Sequence, residues 1–268
     1  MSNRITQKQA EQIRELIIAC GKVMLTAHDV EAVDGGITVK PGDSNFVTMF
    51  DVSVQNRLME GLLGIFPDAV FFAEEKDNVG VDFTGRICFI IDPIDGTNNF
   101  IHDLAMSAVS VGALYDGEPF FGAIYDPYRD EYFEAQTGCG AFCNGRPVRV
   151  SHRELSKALI AFGASPYKKT EFAADSFRAA EEIFRNCVDL RRSGSAAIDM
   201  VNVACGRLDG FFEFTLCPWD YAAGYVIVRE AGGEVSSFDG TRVSFEKSSS
   251  LLCTNGMTYN KLREILNK

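Results

Sequence analysis

Histidine is scarce in this chain. There are three in 268 residues, His28, His102 and His152, and none is read as part of the acidic motifs described below. That shortage argues against nucleophilic catalysis built on histidine, and it makes a zinc centre a poor expectation. Paired cysteines are also missing. Cysteines stand at 20, 88, 139, 143, 187, 205, 217 and 253 with no CxxC pair, and Cys139 and Cys143 have no matching Cys or His pair nearby. They read as reduced, mostly buried thiols of a cytoplasmic protein. Positive charge is in deficit: Lys+Arg number 26 against 37 for Asp+Glu, a net charge of −11. Such a balance argues against a nucleic-acid partner, and leaves room for an anionic small substrate where metal ions mediate the contact. No apolar run approaches the length of a membrane span, so no membrane partner is expected. The start, MSNRITQKQAEQIREL, is polar and helical in pattern and is not expected to be a signal peptide. Repeats, low-complexity tracts and linkers are absent.

What is present suits a large core. The chain is 46% hydrophobic, enough for one thick domain or two closely packed halves. Residues 5–27 carry Ile13, Leu16, Ile17, Cys20, Val23, Met24 and Ala27 at helical spacing. The stretch 28–46, rich in Gly and Asp, predicts a loop with a short hairpin. A second helix is expected over about 52–65, stopped by Pro67. The runs AVFFAEE (69–75) and RICFIID (86–92) read as short strands, each ending in acid. Residues 105–150 are strand-rich, with Asp116-Gly117 as a hairpin signal. From there the pattern alternates: strands at 158–162, 188–191 and 208–213, helices at 171–186, 195–205 and 219–231. The reading is therefore a layered α+β protein in two halves, 1–152 and 153–268, forming one compact unit. Strand order is not legible from the pattern.

Acids gather at the ends of these elements. Glu74 and Glu75 follow AVFFA, Asp92 and Asp95 follow ICFII, Glu213 ends GFFE, and Asp220 follows Pro218-Trp219 at a helix start. In layered α/β folds, strand ends and helix starts face a common crevice. Two unit charges 4 Å apart repel by roughly 4 kcal/mol at an effective dielectric near 20. Converging carboxylates therefore need protons or cations between them. An all-oxygen donor set favours hard ions, Mg²⁺ before Mn²⁺ or Ca²⁺. Pro93, lacking an N–H, is expected to make the chain leave the strand after Asp92. The Ile94 carbonyl would then turn inward and Asp95 would project back to the same point. Gly96-Thr97 would open a turn whose free N–H groups attract phosphate oxygens. Taken singly, each feature has a plainer reading: D-x-x-D as a capped turn, Glu74-Glu75 as solvated charge, Asp220 and Asp51 as helix caps, Lys40 as a loop charge. The D-x-x-D spacing also differs from the D-x-D of haloacid-dehalogenase-type phosphatases.

DPIDGTNNF (92–100), the pair Glu74-Glu75, RRSGSAA (191–197) and PWDYAAG (218–224) resemble the motifs of the inositol monophosphatase family, with GCGAFCNGRPV and EAGG extending the likeness over the chain. The resemblance implies a five-layer αβαβα sandwich of the sugar-phosphatase type. It also implies Mg²⁺-dependent, lithium-sensitive hydrolysis of a phosphate monoester, and a homodimer. Carried over by motif, one metal would take Glu74, Asp92 and the Ile94 carbonyl. A second would take Asp92, Asp95 and Asp220, and a third would lie near Glu74, held largely by water, with Mn²⁺ as a substitute ion. Thr97 and Asp51 would orient the attacking water. Asp95, Gly96 and Thr97 would meet the substrate, as would the turn Gly194, Ser195 and Ala196 and the carboxylate of Glu213. Lys40 and Glu75 would lie near the site. The expected substrate is inositol 1-phosphate. Relatives act on fructose 1,6-bisphosphate, 3′-phosphoadenosine nucleotides or histidinol phosphate, and a non-catalytic phosphosugar-binding regulator is the alternative of a different class. Ala73 stands where the family usually has glycine, and Asn98 where threonine is common.

Overall fold

Ile13, Ile17 and Cys20 are buried along one face of α1 (Gln7–Gly21), whose start is fixed by a reciprocal cap between Thr6 and Gln9. The computed structural model describes residues 5–26, 37–40 and 46–268. Within these, β1 (Ile37–Val39) pairs antiparallel with β2 (Phe46–Thr48), the hairpin that the composition suggested. Residues 27–36, with His28, and 41–45 lie outside the described residues. Thr48 caps α2 (Met49–Ile65), which buries Val54, Leu58 and Leu62.

A seven-stranded sheet follows. Its strands are β3 (Val70–Ala73), β4 (Ile87–Asp95), β5 (Ala108–Tyr115), β6 (Glu118–Asp126), β7 (Glu131–Gln136), β8 (Ala141–Cys143) and β9 (Arg146–Val148), lying side by side in chain order. The short helix α3 (Thr97–Ile101) sits between β4 and β5. Only β3 and β4 run parallel; the other neighbours are antiparallel. The tight turns at Asp116-Gly117 and Asn144-Gly145 take positive φ at both residues, which matches the twist of a hairpin.

The remainder builds a five-stranded sheet. It comprises β10 (Leu159–Phe162), α4 (Lys169–Phe184), β11 (Asp189–Arg191), α5 (Ala196–Ala204), β12 (Gly210–Leu216), α6 (Pro218–Glu230), β13 (Glu234–Ser236), β14 (Ser249–Thr254) and α7 (Tyr259–Leu266), with strand order β11-β10-β12-β14-β13. The strands β10, β11 and β12 are parallel and joined through helices, whereas β14 is antiparallel to both neighbours.

Three apolar clusters define the layers. One joins α1 and α2 to a face of the large sheet, a second packs α5 and α6 between the sheets, and a third packs α4 and α7 on the outer face of the small sheet. This is a five-layer αβαβα sandwich. Helix α6 lies very close to the large sheet. A side-chain carbon on Gly122 would run into the Ala223 carbonyl, and one on Gly112 would stand 2.8 Å from the Ala222 methyl. All eight thiols are free, but only Cys20, Cys88 and Cys253 are buried, which corrects the expectation of mostly buried cysteines. The others are partly or fully exposed, at the end of β8, in turns or at helix ends. No helix among the described residues is long and apolar enough to cross a membrane.

Candidate active site

β4 does not end at Pro93, contrary to the expectation drawn from its missing N–H. The strand runs on to Asp95 with a register shift: Asp92 faces Ser110 on β5 and Asp95 faces Ala108, so one extra residue is inserted. A bulge of this kind tolerates a proline because its unpaired residue needs no ladder hydrogen bond. It also changes where the acids point. In a regular strand, residues three apart face opposite sides. The inserted residue puts Asp92 and Asp95 on one side, where oxygens of Asp92, Asp95 and Asp220 all lie within 4.8 Å of one another.

Each of these carboxylates has a fixed orientation. Asp92 Oδ1 accepts the Ile94 N–H at 3.0 Å. Asp95 Oδ2 accepts the Ala197 N–H at 2.9 Å and the Ser195 hydroxyl, and so binds the first turn of α5. Asp220 is the third residue of α6, behind Pro218, and its Oδ2 accepts the Cys217 N–H at 2.7 Å. The cap reading of Asp220 is thus partly right: one oxygen closes the helix start and the carboxyl still faces Asp92 and Asp95. Glu74 stands outside the tight set. Its N–H continues the β3–β4 pairing to the Ile91 carbonyl, and its carboxyl lies against Asp92 with Lys40 Nζ at 3.1 Å. Glu75 pairs with the same Lys40, and its N–H is held by Gln55 Oε1 at 2.8 Å.

The hydroxyl of Thr97 lies 3.1 Å from the Ile94 carbonyl and 3.3 Å from Asp51 Oδ1. Asp51 is fully buried in the first turn of α2, where its other oxygen accepts the Thr48 N–H at 2.7 Å. Gly96, at φ 89°, begins α3; a side chain there would press on the Met106 carbonyl at 3.0 Å. Gly194, at φ 85°, precedes Ser195, whose hydroxyl caps α5 by accepting the Ile198 N–H. Glu213, on β12, accepts from Ser165 Oγ at 2.8 Å, and fits because Gly163 has no side chain.

The charges are at odds with burial. Burial first, then Glu74, Asp95 and Asp220, push Asp92 well above the ordinary carboxylate range. Asp220 is pushed well up by burial, then by Asp95 and Glu74. Burial raises Asp95 to about 6 against the pull of Ser195 and the α5 N–H groups. Asp51 and Glu213 are each raised to about 7, chiefly by burial. Glu74 is raised too, by burial and Glu75, with Lys40 opposing. Burial pulls Lys40 down, and Glu74 and Glu75 more than reverse it. Such a site binds protons or hard cations readily. Burial, then Asp220, push the Cys217 thiol beside these acids up to about 12, so it is not a ready nucleophile.

These groups line a cavity of about 600 Å³ that holds Lys40, Glu74, Asp92, Ile94, Asp95, Gly96, Thr97, Gly194, Ser195, Ala196, Glu213 and Asp220. A volume of that size suits a small-molecule ligand. The structure adds residues to which the motifs assigned no role. Asn99 Nδ2 donates to the Ser193 carbonyl at 2.9 Å and the Met106 carbonyl at 2.7 Å, tying the 193–195 turn to α3. Asp199 is an acid buried on apolar α5, raised to about 8 mainly by burial; an Asp within AAIDMVNVA was the available signal. Ser165, Tyr167 and His102 also line the cavity, on loops without a motif.

The sequence profile of the family described as the inositol monophosphatase family matches residues 6–268. An inositol-1-monophosphatase of Synechocystis sp. is 39% identical over 223 residues, 83% of this chain and 77% of that protein. A Nus factor SuhB of Escherichia coli is 39% identical over 218 residues, 81% of this chain and 80% of that one. Among solved structures, the extragenic suppressor protein suhB of Bartonella henselae superposes with a TM-score of 0.90 at 31% identity, over 98% of this chain and 99% of that chain.

Proposed function

The chain belongs to the inositol monophosphatase family, and from that premise we propose that it hydrolyses the phosphate monoester of a polyol, inositol 1-phosphate foremost, with Mg²⁺ as cofactor. The observation that carries this reading is one cavity lined by Asp92, Asp95, Asp220 and Thr97, with Asp51 buried behind Thr97 at 3.3 Å from its hydroxyl. The oxygen-only donor set fits Mg²⁺. Asp92, Asp95, Asp220, Glu74 and the Ile94 carbonyl would hold the ions. Bound there, they would neutralise the carboxylates, polarise the phosphoryl group and make a water nucleophilic.

The protein's own groups do the rest. Thr97 orients the attacking water, and Asp51 accepts the proton it loses through the Thr97 hydroxyl. The N–H groups of Gly96 and Thr97 face phosphate oxygens. The 194–196 turn, held by Asp95 and Asn99, bounds the alcohol, and Glu213 accepts from one of its hydroxyls. In this reading water is the nucleophile and no phosphoenzyme forms.

The test is phosphate release in Mg²⁺ from inositol 1-phosphate, fructose 1,6-bisphosphate, 3′-phosphoadenosine 5′-phosphate and histidinol phosphate. The highest kcat/KM is expected for inositol 1-phosphate. A preference for the nucleotide would end the polyol reading. A second reading is favoured by the name of the E. coli relative, a Nus factor: a regulator that retains the fold. Absence of phosphate release from every ester, in Mg²⁺ and in Mn²⁺, would favour it.

A further inference from the structure

One stretch of cavity wall has no part in that mechanism. Between β10 and α4, Ser165 Oγ is shared between Glu213 Oε1 and the Thr215 carbonyl, each at 2.8 Å. Pro166 then opens a single 3₁₀ turn, Pro166–Lys168, closed by the Lys168 N–H on the Ser165 carbonyl. The turn carries Tyr167, which lines the cavity with Asp220, Glu213 and Glu74. Among the described residues, none donates to or accepts from its hydroxyl. A phenol ordinarily titrates near 10, so this hydroxyl carries its proton at neutral pH and can donate.

Several neutral donors around it are already engaged. Thr97 is bound to Ile94 and Asp51, Ser195 to Asp95, and Asn99 to two carbonyls. A polyol hydroxyl is both donor and acceptor. Glu213, ionised, offers it acceptors only. We propose that Tyr167 is a specificity-determining residue whose hydroxyl donates a hydrogen bond to an alcohol oxygen of the substrate, complementing the acceptor Glu213. Recognition then covers both hydrogen-bonding roles of adjacent hydroxyls, on a turn fixed by Ser165 and Pro166. This rests on the phosphatase reading above.

The test compares wild type and Tyr167→Phe on a polyol ester, inositol 1-phosphate or glycerol 2-phosphate, and on phenyl phosphate, which has no free hydroxyl. Removing one neutral hydrogen bond predicts a roughly five- to tenfold lower kcat/KM on the polyol ester. Phenyl phosphate turnover and the Mg²⁺ dependence should be unchanged, and the former also reports that the variant is folded. Equal losses on both esters, no loss on either, or a shifted Mg²⁺ dependence would overturn the proposal; the last would mean that Tyr167 acts through Asp220. If wild type hydrolyses phenyl phosphate but no polyol ester, the polyol reading falls with it. If wild type hydrolyses neither, the phosphatase reading itself fails.

Discussion

Asp92 shows how one residue is set for function against stability. It is almost fully buried, bonded to one backbone N–H, and surrounded by Glu74, Asp95 and Asp220. Asp92→Asn keeps the oxygen that meets Ile94 and removes a repelling charge. Activity in Mg²⁺ should fall by about 10²-fold or more, the scale lost with a preorganised charge-stabilising group. The thermal midpoint in chelator should instead rise, and a calorimetric scan beside the rate assay checks both. Asp51, raised to about 7, must be ionised to accept a proton. Its protonation should therefore give kcat/KM an acid limb with its midpoint near pH 7, levelling off above about pH 8, and Asp51→Asn should abolish that limb. The acids themselves were legible, because a carboxylate ending an apolar run is conspicuous. Their supporters were not. Asn99 stands inside the 92–100 motif, but its partner is 94 residues away, and Ser165 meets Glu213 48 residues away, so no local pattern shows either contact.

At the scale of elements, most helices and strands follow from periodicity and turn chemistry, and the departure at Pro93 is instructive. A missing N–H predicts an end to pairing, but a bulge needs one fewer bond and lets the strand continue. Whether a proline ends a strand or bulges it depends on the neighbour, here β5, which the local pattern does not contain. The closeness of α6 to β5 and β6 was also illegible, since it depends on Gly112 and Gly122 meeting Ala222 and Ala223. Gly122→Ala should destabilise by about 2–3 kcal/mol or prevent folding, as overpacking against rigid backbone does. Gly64, exposed in α2 with open space where a Cβ would stand, gives the contrast. Gly64→Ala should stabilise by about 0.5–1 kcal/mol. Urea denaturation of the two variants separates the cases.

At the scale of the molecule, two sheets and five layers bring the ends of β3 and β4, the middle of β12 and the starts of α5 and α6 to one acidic crevice, with the start of α2 behind Thr97, in a chain of net charge −11. That convergence, and the strand orders behind it, depend on contacts between distant segments that no window of sequence holds. It links stability to pH. A carboxyl whose folded pKa stands above its unfolded value near 4 binds its proton more tightly when folded. Its contribution is full below about 4 and is lost as pH rises through the folded value, about 6 for Asp95, 7 for Asp51 and Glu213, and 8 for Asp199. In chelator the melting temperature should therefore fall from pH 5 to 8, and Mg²⁺ should restore more of it at pH 8 than at pH 5. A metal-independent profile would count against cation binding. The most direct test is anomalous diffraction at the manganese edge from a crystal soaked in Mn²⁺. The account predicts strong peaks contacted by Asp92 together with Asp95 and Asp220, and by Asp92 together with Glu74. A fully soaked crystal with no peak among these carboxylates would contradict it.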